Sequence, residues 1–305
     1  MSPLTNDQVR EAVRERYAAA ATAHRTAPAT SGCGCDAGCC GDAGHDERAV
    51  ASSCCAPTCC APTPFQAIDA ITSGLYDEAD VPFDAALAAS LGCGNPSALA
   101  ELSPGEDVLD LGSGAGLDVL LSARRVGPAG TAYGLDMTPE MHELAQQNRA
   151  DAGIDNAHFL LGTIEQVPLP DAAVDVVISN CVINLAADKD VVLREAFRVL
   201  RPGGRFAVSD IVFLTQIPEQ LRGVATLWTG CISGALRDID YVDKLTAAGF
   251  ANASVEVTRT YDREAIAALA TQLDAAALPA TMTLDEAIDA LAGAVASAFV
   301  RATKP

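Results

Sequence analysis

Basic residues are scarce in this sequence. Only twenty Lys and Arg stand against forty Asp and Glu, a formal net charge of −20. That balance excludes nucleic acid or an anionic membrane as the main partner, because both demand a basic face. No apolar run approaches the ~20 residues that a membrane-spanning helix needs. The first thirty residues carry Asp7, Arg10, Glu11, Arg14, Glu15 and Arg16 with no apolar block, so no secretory leader is expected. A reducing cytoplasm is the expected compartment. Large apolar residues are nearly missing from residues 26–63, which therefore cannot bury a core of their own.

Cysteine, by contrast, is plentiful. Eight of the eleven cysteines lie between Cys33 and Cys60, and Cys93, Cys181 and Cys231 are scattered through the rest. In a reducing compartment, clustered cysteines point to metal chemistry or redox cycling more than to a disulfide framework. The cluster contains a tandem repeat, CCAPT at 54–58 and again at 59–63. Among Gly, Pro, Ala and Ser it reads as a mobile arm unless something soft clamps its sulfurs. The length of 305 residues is compatible with about two domains at roughly 150 residues each.

Outside the arm the chain alternates strand and helix patterns. The N-terminus reads as a helix, with Thr5 and Gln8 as a capping box and Val9, Val13 and Tyr17 on one face. Buried strands are expected at 107–111, 131–136, 157–161, 174–179 and 204–210, with helices from about 117, 139 and 188. This alternation implies a parallel sheet covered on both faces, joined by right-handed crossovers. Residues 219–248 read as helices. Residues 254–258 and 297–302 read as short β runs closing the sheet edge, with a helical stretch between them broken near Pro279.

The most informative turn is Asp110-Leu-Gly112-Ser113-Gly114-Ala-Gly116, where the first strand meets a helix. Glycines there let a ligand approach the backbone, and the helix start offers free N–H groups. Asp136 ends the next strand, twenty residues after Gly116, where a carboxylate can accept from ribose hydroxyls. A nicotinamide site uses similar geometry, but the spacing here is G-x-G-x-G with an acid two residues before the first glycine. That pattern resembles the class I S-adenosylmethionine methyltransferases. Thr163-Ile164-Glu165 reads as an adenine-edge contact, and Asp171 as a plain loop acid. Strand four ends in Ser179-Asn180-Cys181, at the sheet edge where open α/β folds bind ligands. Cys93 lies in a turn-rich GCGNP, and Cys231 in a segment able to fold over the site. Three thiolates from distant segments suit a soft ion or a soft p-block element better than Mg²⁺ or Ca²⁺.

The remaining chemistry-bearing side chains read plainly. His142 and His158 fit a helix surface and a strand start. His24 and His45 lie in or near the arm, His45 beside its cysteines. Trp228 reads as packing for the lid, and Glu195 and Arg198 as ordinary surface charges.

Taken together, GCGNP at 92–96, VLDLGSGAG at 108–116, YGLDMT at 133–138, ISNCVINL at 178–185, the run at 188–210, LWTGCISGAL at 227–236 and SAFVRATKP at 297–305 resemble the arsenite S-adenosylmethionine methyltransferases, bacterial type. The resemblance covers roughly residues 65–305 and, weakly, the N-terminal helix. It implies a Rossmann-like class I fold with a mostly parallel seven-stranded sheet. It implies an N-terminal helix and Cys-rich arm at 1–63, a cofactor-binding core at 64–213 and an arsenic-binding, sheet-closing region at 214–305. It implies Cys93, Cys181 and Cys231 as As(III) ligands, with Cys33 as an arm cysteine in redox or capture and Cys35, Cys39 and Cys40 as competitors. The cofactor contacts implied are Asp110, Gly112, Ser113, Gly114, Asp136, Met137, Met141, Ile164, Glu165 and Asn180. Arsenite and methylarsenite are the implied substrates, thioredoxin or glutathione the reductant, and a monomer the expected state. Leu91 replaces a position that is often aromatic in the family. The paired cysteines at 39–40, 54–55 and 59–60 are a departure, fitting delivery of arsenic, another soft metal or structural zinc.

Two other functions compete. A class I methyltransferase of a small organic nucleophile would keep the glycine turn and Asp136 but tolerate loss of Cys181 and Cys231. A soft-metal-binding protein would depend on residues 1–63 and need no adenosyl cofactor. The complete cofactor pattern counts against the second, and the three core cysteines against the first.

Overall fold

The computed structural model describes residues 6–26, 94–96, 100–218, 221, 234–270 and 281–305. Helix α1 spans Asn6–Thr26. Thr5, the expected cap, and all cysteines except Cys181 lie outside the described residues.

The sheet is assembled from β1 (Asp107–Leu111), β2 (Thr131–Asp136), β3 (Ala157–Leu161), β4 (Val174–Asn180) and β5 (Leu200–Phe213). Helices α2 (Leu117–Val126), α3 (Pro139–Ala152) and α4 (Lys189–Val199) make three of the connections. Beyond β5 come β6 (Leu236–Arg237), α5 (Asp238–Ala247), β7 (Ala251–Thr260), α6 (Arg263–Ala270), α7 (Leu284–Leu291) and β8 (Val295–Thr303).

The strand order is β3-β2-β1-β4-β5-β8-β7, with the two-residue β6 pairing β5 off that path. The seven strands expected from sequence are therefore present with one short addition. The first five run parallel, and β8 is antiparallel to both β5 and β7. The C-terminal region thus completes the same sheet.

Burial explains the parallel half. Leu109, Leu111, Val176, Val177 and Ile178 are all essentially inaccessible to solvent, as strands covered on both faces must be. The outer strands differ. β7 is exposed along most of its length and runs 251–260, longer than its apolar content indicates. β5 extends past the expected 204–210 toward Phe213 because β8 pairs along it from Arg205, and back to Leu200, which pairs with Val174 of β4.

The order reverses between β1 and β4, which leave in opposite directions across the sheet. This topological switch opens a crevice at the carboxyl ends of both strands. Asp110 pairs in register with Gly134 and Ile178, and Leu111 with Ser179. The register brings the glycine turn after β1, Asp136 at the end of β2 and Cys181 after β4 to one edge.

Candidate functional site

The glycine turn is shaped by its neighbour strand. The N–H groups of Gly112 and Ser113 both donate to the Leu135 carbonyl, at 2.7 and 3.0 Å. Gly114 N–H donates to Asp136 Oδ2 at 2.9 Å. Asn148 of α3 donates to the Ala115 carbonyl at 2.9 Å. Gly112 has φ 78° and Gly116, which caps α2, has φ 88°, the left-handed region that favours glycine. A Cβ at Gly112 would overlap the Val182 side chain, whereas one at Gly114 would meet nothing within 4 Å. The turn is thus closed toward the protein and open at Gly114 toward the crevice.

The cavity above it is walled by Gly112, Gly114, Asp136 and Met137 on one side and Ile164 and Glu165 on another. Val182 and residues 185–187 form the third wall. Of the sequence-predicted cofactor contacts, these six meet here. Met141 does not reach the wall: it is buried in a cluster with Ala20 and Ala21, with Tyr17 packed against it. Ser113 lies behind the turn against Gly134, its buried hydroxyl lacking a hydrogen-bond partner among the described residues.

Sequence reasoning missed the roof. Arg10, Val13 and Tyr17 of α1 line the same cavity, and Arg10 reaches Glu165 at 3.5 Å. The apolar face of α1 was readable, but not the surface it covers. Glu195 and Arg198 are also more than surface charges. Arg198 donates to the carbonyls of Leu169 and Val167 and to Asp171, and Glu195 accepts from Val167 N–H at 2.9 Å. The pair fastens the loop between β3 and β4 to α4.

Two carboxyls give the crevice its electrostatics. Asp136 is pushed up by burial, with the Thr138 and Gly114 N–H groups pulling it back. Asp110 is fully buried and driven well above the usual carboxylate range, first by burial and then by the charges of Asp118 and Asp136. Its Oδ1 has no hydrogen-bond partner among the described residues. A buried carboxyl among acids favours a cation. Together with the open glycine turn and the Asp136 carboxylate, this fits a ligand carrying an ammonium group and a nucleoside.

Beside the crevice the structure gathers parts of three distant segments. Cys181 follows β4 directly, is buried, and has φ 61°. Its N–H donates to the Ser209 carbonyl at 2.8 Å. Its sulfur is in a disulfide, whose partner lies outside the described residues. Asn180 holds Gly94 through both of that residue's backbone groups. A Cβ at Gly234 would overlap the Asn184 carbonyl oxygen. Gly94 follows Cys93 in sequence, and Gly234 comes three residues after Cys231. Gly94 therefore lies against the end of β4, and Gly234 against the short loop after it that begins with Cys181. Cys93, Cys231 and Cys33 themselves lie outside the described residues. Among the described residues, no three His, Cys, Asp or Glu side chains are grouped to hold a metal ion.

Beneath that loop runs a buried polar chain. Lys189 donates to the carbonyls of Asn184 and Ala186 at 3.2 and 2.9 Å, and burial lowers its pKa. The Tyr241 hydroxyl donates to Asp210 at 3.2 Å. Burial raises the Asp210 carboxyl to about 7, against the pull of Lys189 and Tyr241. No described helix is long and apolar enough to cross a membrane.

The fold and crevice define a class I methyltransferase, the fold that takes its methyl group from S-adenosylmethionine. A family profile described as "Methyltransferase domain" matches residues 102–263. An arsenite methyltransferase of Halobacterium salinarum is 44% identical over 80% of this chain and 58% of its own length. The human arsenite methyltransferase is 38% identical over 42% of this chain and 37% of its own length. The crystal structure of an arsenic (III) S-adenosylmethionine methyltransferase from Chlamydomonas reinhardtii matches with TM-score 0.58 and 31% identity, covering 80% of this chain and 75% of that one. The YcgJ protein of Bacillus subtilis, at 21% identity and TM-score 0.51, shares the fold alone. The chain belongs to the arsenite methyltransferase family. It spans 58% of the Halobacterium relative and 37% of the human one.

Proposed function

We propose that the protein transfers methyl groups from S-adenosylmethionine to trivalent arsenic held by the thiolates of Cys93, Cys181 and Cys231. The observation that carries this reading is that Gly94, bonded to Asn180 at the end of β4, and Gly234, against the Asn184 carbonyl, lie on either side of the turn that starts at Cys181. Asp110 receives the methionyl ammonium, Asp136 the ribose hydroxyls, and Ile164 and Glu165 the adenine edge. Gly112 and Gly114 leave room for the backbone to approach.

The cofactor supplies an electrophilic methyl on a sulfonium. The arsenic lone pair forms the As–C bond, and the electron pair of the broken S–CH₃ bond stays on sulfur. The nucleophile carries no proton, so no general base is required and catalysis is mainly positioning and desolvation. Arsenic becomes formally pentavalent, and two electrons from thioredoxin or glutathione return it to the trivalent state. Cys181 must likewise be reduced before it can bind, since only a thiolate is a ligand. Ligand deprotonation makes arsenic binding release protons. An arm cysteine, with Cys33 the first choice, takes part in capture or in the disulfide exchange. Monomeric action in a reducing cytoplasm accords with this thiol chemistry, and methylated arsenicals from arsenite and methylarsenite amount to detoxification.

The test is methyl transfer from radiolabelled S-adenosylmethionine to arsenite with glutathione and thioredoxin present, Cys181→Ser run alongside. Label in methylated arsenic from the wild type, and none from the variant despite unchanged cofactor binding, is the expected result. Normal turnover by Cys181→Ser overturns the trithiolate. Tight cofactor binding with no arsenic product at all transfers the assignment to an organic substrate.

A further inference from the structure

We propose that Lys189 is a positioning residue for the methyl donor, its ammonium binding the turn after β4 into the wall of the cofactor cavity. The inference rests on the assignment of that cavity to S-adenosylmethionine and is independent of how arsenic is held.

The position is an awkward one for a lysine. Lys189 is the first residue of α4, and Asp188 caps that helix by accepting from Val191 N–H at 3.2 Å. Helix starts carry partial positive charge and favour acids, so a cation there gains nothing from the helix itself. The side chain turns back to its own loop. Its Nζ donates to the Ala186 carbonyl at 2.9 Å and to the Asn184 carbonyl at 3.2 Å. These carbonyls belong to the 3₁₀ turn Ile183–Leu185 and the residue that follows it. Carbonyls at the end of such a turn find no partner within it, and an ammonium can donate to several at once.

The same turn walls the cavity. Leu185, Ala186 and Ala187 line it beside Val182, and the two Lys189 bonds bracket Leu185. Val182 is pressed so closely on Gly112 that a Cβ there would overlap it. Asn184 Nδ2 donates to the Ile211 carbonyl at 2.7 Å, which fastens the turn to β5. A Cβ at Gly234 would overlap the Asn184 carbonyl oxygen and come to 3.0 Å from Lys189 Nζ, so that segment packs over the same bond. The turn is thus held against the glycine turn, on β5 and by Lys189.

A partly buried charge makes a costly tie but a stiff one. Burial and Lys244 of α5 act against the charged lysine, while Asp210 of β5 and Asp188 support it. A charged donor bonds a carbonyl more strongly than a neutral one, and away from water the bond is poorly screened. Such a tie suits a wall that must keep its place when the cavity fills, because a site already ordered loses less freedom on binding.

The experiment uses the full-length reduced chain with Lys189→Met and Lys189→Arg, and Asp136→Asn as a control on the cavity. Calorimetry reads the Kd and stoichiometry for S-adenosylmethionine. Methyl transfer to arsenite, with glutathione and thioredoxin present, reads the KM for S-adenosylmethionine and kcat. Methionine keeps the length of the side chain without its charge or donors. With both bonds lost, Lys189→Met should raise Kd and KM about tenfold while kcat stays within about threefold. Lys189→Arg keeps the charge and the donors and should return Kd to within about threefold of wild type. A lysine that only stabilised the fold would behave otherwise. Its loss would lower the fraction of active protein, and with it the stoichiometry and apparent kcat, leaving Kd and KM unchanged. That pattern overturns the proposal. So does a Kd within about twofold of wild type in Lys189→Met, or a Lys189→Arg as weak as Lys189→Met. If Lys189→Met does not fold, Lys189→Gln is read in the same way. The calorimetric Kd decides the role of Lys189 whichever acceptor takes the methyl group. Asp136→Asn separates the two layers of argument: normal cofactor binding there removes the cavity assignment itself. Weak binding there beside a normal Lys189→Met keeps the cavity and defeats the role of Lys189 alone.

Discussion

Asp110 is the residue at which burial and like charge press hardest on a carboxyl beside the glycine turn. It is the penultimate residue of β1, with Asp118 and Asp136 as its charged neighbours and no partner for Oδ1 among the described residues. Its ionised form is costly in the protein alone and is relieved by a cation. Asp110→Asn should therefore do two opposite things. Affinity for S-adenosylmethionine should fall by about tenfold to a hundredfold, the scale of a charge-assisted hydrogen bond. The melting temperature of the cofactor-free chain at pH 8 should rise, because a buried charge is removed. Calorimetry and a thermal melt read the two effects. Unchanged affinity would show that the ammonium lies elsewhere. Asp110 could be singled out in sequence because strand, glycine turn and acid are contiguous. The link between Asn180 and Gly94 could not, because a hydrogen bond between residues 86 apart leaves no local pattern. Only the proximity of both residues to cysteines hinted at a shared neighbourhood.

At the scale of elements, readability followed burial. The parallel strands β1 and β4 are apolar on both faces, and their bounds were read to within a residue. β7 carries Asn252, Ser254, Glu256, Thr258 and Arg259 on an exposed edge, and pairing with β8 extends it beyond the 254–258 read from sequence. Helix α1 was read as amphipathic and grouped with the arm, yet its stripe roofs the cofactor cavity. An amphipathic face states that something is covered, never what. The role of α1 yields a prediction. Arg10 is linked to Glu165 at 3.5 Å across the cavity mouth, with the Arg10 side chain 39% exposed. An exposed ion pair of this kind contributes up to about 1 kcal/mol, so Arg10→Ala should raise the KM for S-adenosylmethionine about two- to fivefold. The kcat should not change, because Arg10 lies away from the sulfur chemistry. Since the pair is solvent-screened, the difference from wild type should shrink as salt is added. A change in kcat with KM unaltered would show that α1 acts on the arsenic side and not as a roof.

For the whole molecule, charge and burial combine into a pH dependence. Asp210 is 1% exposed, and its carboxyl is pushed up by burial to about 7, with Lys189 and Tyr241 opposing. Lys189 in turn feels Lys244 and Asp188. A carboxyl whose folded value exceeds its unfolded one binds its proton more tightly when folded. Its contribution to stability is therefore lost as pH rises from about 4 to about 7, on the order of a few kcal/mol. Asp110 and Asp136 are raised as well and act in the same sense. Glu106 and Glu195 act oppositely. Arg205 and Arg198 hold their carboxyls low, so the stability they add is present above the ordinary glutamate range and disappears only as pH falls through their lowered values. Stability should accordingly peak on the mildly acidic side and decline toward pH 8. The net charge of −20 adds self-repulsion with the same trend, and two measurements separate the causes. Self-repulsion between surface charges is screened at about 1 M salt, where the Debye length is about 3 Å, whereas the cost of a buried carboxylate is not. Thermal melts from pH 5 to pH 8 at high salt should keep a downward slope in the wild type. Asp210→Asn should flatten that slope and leave the chain more stable at pH 8. Equal slopes in the two proteins would mean that Asp210 is ionised in the fold well below neutrality, held so by Lys189 beneath the loop that carries Cys181.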